Sequence, residues 1–288
     1  MHTSIHPNTT IGATALIVPN LDRALDYYQN NIGLQLRARD GATARLGAGD
    51  RDLLVLTEQA GARPVQQGRT GLYHFAILVP SRLELARTLR HLIDTRTPIS
   101  GASDHAVSEA LYLTDPDGHG IEIYRDRPRA EWKFPNGTLK MTTEPFDAQG
   151  VLAELTGTEP AWTGLHADTT LGHIHLHIAH IPAAEHFYVD ILGFDLIVRY
   201  GAQASFISAG GYHHHMGLNT WAGVGAPPPP TGAARLNWFE ICLPDATALE
   251  PIVGRLQAAK VSFQREDNLV VVNDPSQNQL HLVVAPRN

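Results

Sequence analysis

The sequence predicts an α+β fold made of four βαβββ modules. Three observations carry this reading. An apolar strand, a helical stripe and three short strands open the chain, and the same order returns at an offset of 160. Two further strand-and-helix starts stand at 71–93 and 235–259. Finally, the tails 115–124 (DPDGHGIEIY) and 274–283 (DPSQNQLHLV) match at an offset of 159.

In module one, residues 11–19 (IGATALIVP) form an apolar strand. Over 21–32, Leu21, Leu25, Tyr28 and Ile32 share one helical stripe. Gly33 ends that helix, because glycine enters left-handed backbone at little cost. Strands at 34–39, 43–46 and 53–57 follow, divided by Gly and Asp turns. Module three repeats the plan: 171–179 is its strand, and Ala184, Tyr188 and Gly193 stand where Ala24, Tyr28 and Gly33 stand. Module two opens with strand 71–80 and a helix near 82–93, and module four with strand 235–244 and a helix near 246–259. Modules one and two occupy 9–128 as a first domain and modules three and four 168–286 as a second, while 129–167 links them with few periodic signals. Four prolines at 227–230 make a stiff loop before module four.

Composition narrows the function. The 288 residues suit about two domains. With 22 Lys and Arg against 29 Asp and Glu, a net charge of −7 and no basic run, nucleic acid is not an expected partner. No secretory leader pattern and no apolar run of ~20 residues are present, so a cytoplasmic protein off the membrane is expected. The single cysteine, Cys242, excludes an internal disulfide and a multi-cysteine metal site. Nitrogen and oxygen must hold any metal, and histidine, with 16 copies bunched in 171–180 and 211–216, is the candidate donor.

Paired βαβββ modules with DPDGxGIEIY closing the second resemble the vicinal oxygen chelate superfamily, which includes glyoxalase I, extradiol dioxygenases and bleomycin resistance proteins. The phrases HFAILVPSR, GIEIYRDRP and HHHMGLNTWAGVGAPPPP are similar to those of a group of bacterial catechol 2,3-dioxygenase-like proteins. The resemblance covers about four-fifths of the chain. It implies that each pair of modules curls its strands into a cup with helices outside, and that a divalent metal takes ligands from first and last strands.

Side chains alternate across a strand, so a ligand must share the parity of the cup-facing positions. The residue six before the strand-ending Pro19, Pro80 or Pro244, or before Ala179 in module three, is Ala13, His74, Trp238 or His173. In the last strands, Ile121 and Ile123 pack, so Glu122 faces the cup; His281 is its equivalent in module four and Gly217 falls at that place in module three. Modules two and three together supply His74, His173 and Glu122, two imidazoles and a carboxylate typical of non-haem Fe(II). Modules one and four gather Ala13, Trp238 and His281, a poor metal set. His175 and His177 share a face with His173, so a two-residue slip exchanges them. His2, His6, His91, His119 and His166 lack such context and read as solvated.

By resemblance, His105 and Tyr112 match substrate-contacting residues of extradiol dioxygenases, and His215 matches their acid–base histidine, with His214 as the alternative. The function implied is an Fe(II) extradiol dioxygenase acting on an aromatic diol and O2, with Mn(II), Ni(II) or Zn(II) as alternative ions. A glyoxalase-like lyase or isomerase using Ni, Zn or Mg, and a metal-free antibiotic-binding protein, are the competing readings. Self-association into a homo-oligomer is left open.

Overall fold

The computed structural model describes residues 4–284, so His2 and the end of the 168–286 segment lie outside the described residues. Module one contributes strands β1 (Thr10–Val18), β2 (Gln35–Asp40), β3 (Thr43–Ala48) and β4 (Arg51–Glu58). Module two contributes β5 (Gly71–Leu78), β6 (Gly101–Asp104), β7 (Ser108–Thr114) and β8 (Gly120–Asp126). Module three gives β9 (Thr170–His177), β10 (Asp195–Tyr200), β11 (Ala204–Ser208) and β12 (Met216–Asn219). Module four gives β13 (Arg235–Leu243), β14 (Phe263–Glu266), β15 (Leu269–Asn273) and β16 (Gln279–Val284).

These strands form two eight-stranded sheets, and each sheet draws one module from each half of the chain. One runs β14-β15-β16-β13-β1-β4-β3-β2, modules four and one; the other runs β10-β11-β12-β9-β5-β8-β7-β6, modules three and two. The two first strands of each sheet meet antiparallel at its centre, β1 with β13 and β5 with β9. The pairing of module two with module three, reached by elimination of ligand sets, is therefore the pairing of the sheets.

Helices are few and peripheral. In modules two and four they are Arg82–Asp94 and Ala246–Ala258, started by Ser81 and Asp245, whose side chains accept from the amides of Glu84 and Ala248. In modules one and three a short α-helix loosens into a π-helical turn, Tyr27–Ile32 and His186–Ile191. Gly33, at φ 90°, closes the first of these as its sequence position requires. Leu16, Leu54, Phe75, Ile121, Ile174 and Leu218, from both sheets, join with Tyr28 and Tyr188 in one apolar core. Among the described residues no helix is long and apolar enough to cross a membrane.

Two repeated hydrogen bonds tie the modules within each half. The buried hydroxyl of Tyr28 donates to Asp115 at 2.9 Å, and that of Tyr188 donates to Asp274 at 3.0 Å. The same tyrosine and the same aspartate thus explain both repeats seen in the sequence. His119 belongs to this device: it is 1% exposed, and its Nδ1 lies 2.9 Å from Asp115. Its reading as a solvated residue is corrected here, because the DPDG turn folds inward onto Tyr28. Residues 129–167, which carry little periodicity, pack through Trp132 and Leu139 on Val107, and an antiparallel bridge joins Glu144 to Asp104.

Candidate metal centre

Register places the candidate ligands. Ala76 of β5 is the lateral neighbour of Glu122 on one side and of His173 on the other, so these two side chains rise from one row across a methyl group. His74 stands two residues earlier on the same face. His74, Glu122 and His173 are all buried, and each offers a ligand atom within 4.8 Å of the others. Glu122 Oε2 is 3.0 Å from His74 Nε2 and 3.2 Å from His173 Nε2. His175 pairs laterally with His74 and Gly217 and supplies no atom to this cluster.

The donor set fits a divalent ion. His74 Nε2 is buried and lies 3.0 Å from Glu122 Oε2 without hydrogen-bond geometry, and a buried nitrogen left without a good hydrogen bond costs about 1–3 kcal/mol. A shared cation satisfies it together with the carboxylate. Burial opposes ionisation of Glu122, yet the neighbouring imidazoles, His173 ahead of His74, outweigh it and hold the carboxyl well below its usual range. Burial keeps His173 below the ordinary imidazole range and His175 well below it, so both favour the neutral form that ligates metals. At the fourth register position, Gly217 carries no side chain, and a Cβ there would stand 2.7 Å from the ring of His175. The ring of His175 covers the place where a fourth ligand would emerge.

A cavity of about 300 Å³ opens on these residues, walled by Tyr73, His105, Tyr112, Met141, His175, Tyr200, Phe206, His214 and Trp221, among others. Tyr112 flanks Glu122 in the sheet, and burial, then the charge of Glu122, pushes its hydroxyl pKa upward. His105 Nδ1 donates to the Thr142 carbonyl at 2.6 Å, which leaves Nε2 to accept the Tyr112 hydroxyl at 2.6 Å. The sequence brought His105 and Tyr112 forward together, and the structure joins them directly. It gave no sign of Met141 or Thr142, which come from the weakly patterned 129–167 segment.

The preference for His215 over His214 is corrected. The resemblance favours His215, but β12 begins at Met216 and residues 213–215 lie in the bend before it, so strand alternation does not set where these side chains point. His215 points away, with Nδ1 held by Ser208 Oγ at 2.9 Å and by the Ala209 amide at 3.2 Å; burial first, then His213, lowers its pKa to about 3. His214 lines the cavity instead, its ring centroid 4.2 Å from that of His173. Burial, followed by His173 and His213, holds His214 well below the ordinary imidazole range.

Residues 10–123 match the family model of the Glyoxalase/Bleomycin resistance protein/Dioxygenase superfamily. The chain is 47% identical over 277 residues to the catechol-2,3-dioxygenase of Bacillus subtilis (strain 168), with 95% of this chain and 96% of the relative covered. In fold it is similar to a candidate dioxygenase from Bacillus subtilis subsp. subtilis str. 168, at a TM-score of 0.66 and 15% identity over 99% of this chain and 87% of that one. Glyoxalase I from Zea mays shares the fold at a TM-score of 0.57 and 16% identity, over 96% of this chain and 92% of the other. Four βαβββ modules, a buried His, Glu, His cluster in one of two sheets and a full-length relative at this identity agree on one assignment: the chain belongs to the Glyoxalase/Bleomycin resistance protein/Dioxygenase superfamily.

Proposed function

We propose that this protein is a metal-dependent extradiol dioxygenase that opens the ring of a catechol-type diol with O2. The observation that carries the reading is the centre itself: two imidazoles and one carboxylate on one face, with Gly217 at the fourth register position and an aromatic cavity beyond. The full-length relative named as a catechol-2,3-dioxygenase supports the same reaction. A glyoxalase-like reading would need a fourth side-chain ligand, and Gly217 offers none.

His74, His173 and Glu122 would hold the metal, Fe(II) in this reading. Bound there, the ion would supply Lewis acidity and redox exchange with O2. The chain's own groups do the rest. His214 presents a neutral imidazole to the cavity, suited to take a proton from a diol hydroxyl and return it as the ring opens. His105 accepts from Tyr112 and so fixes where that phenol sits, beside Glu122. Tyr73, Phe206 and Trp221 provide flat faces for an aromatic ring.

The walls also suggest a substrate class. Among the described residues lining this cavity there is no Lys or Arg, and its walls include Met141, Tyr200, Phe206 and Trp221. A catechol bearing a neutral, apolar substituent suits such a wall better than one bearing a carboxylate.

The test is O2 uptake by anaerobically Fe(II)-loaded protein. 4-Methylcatechol should give stoichiometric uptake and a yellow ring-opened product, and 3,4-dihydroxyphenylacetate should be turned over far less well. No uptake with any catechol by protein shown to hold iron would overturn the proposal.

A further inference from the structure

Behind His214 runs a chain of hydrogen bonds, buried at His213 and part-buried toward Asp126 and Tyr212. His213 Nδ1 is 2.7 Å from His214 Nδ1, and His213 Nε2 is 2.9 Å from Asp126 Oδ1. The same oxygen accepts the Tyr212 hydroxyl at 3.2 Å, and Tyr212 lies 2.7 Å from the Tyr124 hydroxyl. The His213 ring is 0% exposed, packed against Tyr212 and Trp132.

The donors and acceptors in this chain can be assigned in only one order if His213 is neutral. A carboxylate accepts and never donates, so the hydrogen facing Asp126 sits on His213 Nε2. A neutral imidazole carries one ring hydrogen, so His213 Nδ1 is an acceptor. The short contact to His214 then requires a hydrogen on His214 Nδ1. That leaves His214 Nε2 with a bare lone pair, and among the described residues no protein group bonds to it.

We propose that His213 and Asp126 are positioning residues that fix the tautomer of His214, so that its Nε2 lone pair is the one available to the cavity. The role rests on the reading of His214 as the proton acceptor for a bound diol. The residues meet because β8, β5, β9 and β12 lie side by side, which carries Asp126 at the end of β8 to the turn before β12. Without the carboxylate, His213 could carry its hydrogen on either nitrogen, and half of the His214 rings could face the cavity with a hydrogen where a lone pair is needed.

Ring-nitrogen NMR on 15N-histidine-labelled protein loaded with Zn(II), a diamagnetic probe ion, reads the tautomer without any turnover. A His214→Gln spectrum assigns the signals. In the wild type, His214 Nδ1 should appear protonated and Nε2 bare. Asp126→Ala should mix the two forms and, in Fe(II)-loaded protein, lower kcat by about twofold with KM unchanged, far less than the ~10² or greater loss from removing a general base outright. Asp126→Asn should keep both the tautomer and most of kcat, because its amide oxygen can still accept from His213 and Tyr212. A hydrogen on His214 Nε2 in the wild type overturns the proposal. So does an Asp126→Ala protein that loses kcat with unchanged ring-nitrogen signals, since that marks a merely structural role. Failure of the dioxygenase reading looks different: the wild type then opens no catechol, while the nitrogen signals still decide the tautomer.

Discussion

The two sheets carry the same four register positions and fill them in opposite ways. In the sheet of modules two and three they hold His74, His173, Glu122 and Gly217; in the sheet of modules one and four they hold Trp238, Ala13, His281 and Val55. There Ala13, Ala15 and Val55 pack with Trp238 as a small apolar cluster, and the indole lies flat on His281, 4.5 Å between centroids and 14° between planes. One cup is closed by its own side chains, while the other leaves buried nitrogens on His74, His173 and His175 without hydrogen-bond partners. The backbone frame therefore tolerates a packed plug or a polar centre at equivalent positions. On the proposed reading, function would reside in three side chains and one glycine rather than in the fold.

The largest expected effect breaks that comparison at its carboxylate. Glu122→Ala should lower metal affinity by more than the 10- to 100-fold typical of losing an outer hydrogen-bond partner, and ring opening should go with it. His281→Ala, at the equivalent place, should leave metal content unchanged. Metal analysis of both variants after identical loading separates the two cups.

A second prediction separates neighbouring histidines. His214→Ala should retain metal and lose ~10² to 10⁴ in kcat, the usual range for a missing acid–base group. His215→Ala should cost kcat less than about tenfold, because its ring is tied to Ser208 on the far side. Steady-state kinetics with matched metal loading checks both.

The smallest effect compares the two buried aspartates. Burial works against ionising Asp115, but His119 and Tyr28 outweigh it and lower its pKa; Asp274, with Asn278 in place of that histidine, is raised by burial. A depressed Asp115 adds stability above the ordinary carboxylate range near 3.9, and this is lost as pH falls through its lower folded value. A raised Asp274 has the opposite sign, losing stability as pH climbs through its folded value. Asp115→Asn should therefore cost on the order of 1–3 kcal/mol at pH 7 and less near pH 3, whereas Asp274→Asn should cost less at pH 7 than at pH 4. Urea unfolding over that pH range reads both.

What was legible in the sequence was what repeats or alternates. Tyr28 and Tyr188, Gly33 and Gly193, and the two DP turns marked four modules because each copy repeats a contact inside the fold. Strand parity pointed to His74, His173 and Glu122 because β5 keeps an unbroken register with β9 from His74 to Ala76 and pairs Ala76 with Glu122, although the β5–β9 register shifts on either side of that stretch. The resemblance pointed to His215, whereas the chain bends before β12 and brings His214 to the cavity wall. His119 read as solvated because its buried partners, Asp115 and Tyr28, converge only when the turn folds inward. Asp126 and His213 had no local signal, since the order of four strands brings them together. Residues 129–167 hid Met141 and Thr142 because a segment that drapes over a finished sheet needs no periodicity of its own.

We propose that one cup of the two is a metal centre, assembled from both halves of the chain. Anaerobic Fe(II) titration of the wild type, Glu122→Ala and His281→Ala, followed by bound-iron analysis, tests it most directly. One ion per chain is expected in the wild type and in His281→Ala, with none held at the same concentration by Glu122→Ala. Two internal ions per chain in the wild type, or one that survives Glu122→Ala and is lost in His281→Ala, would contradict the account.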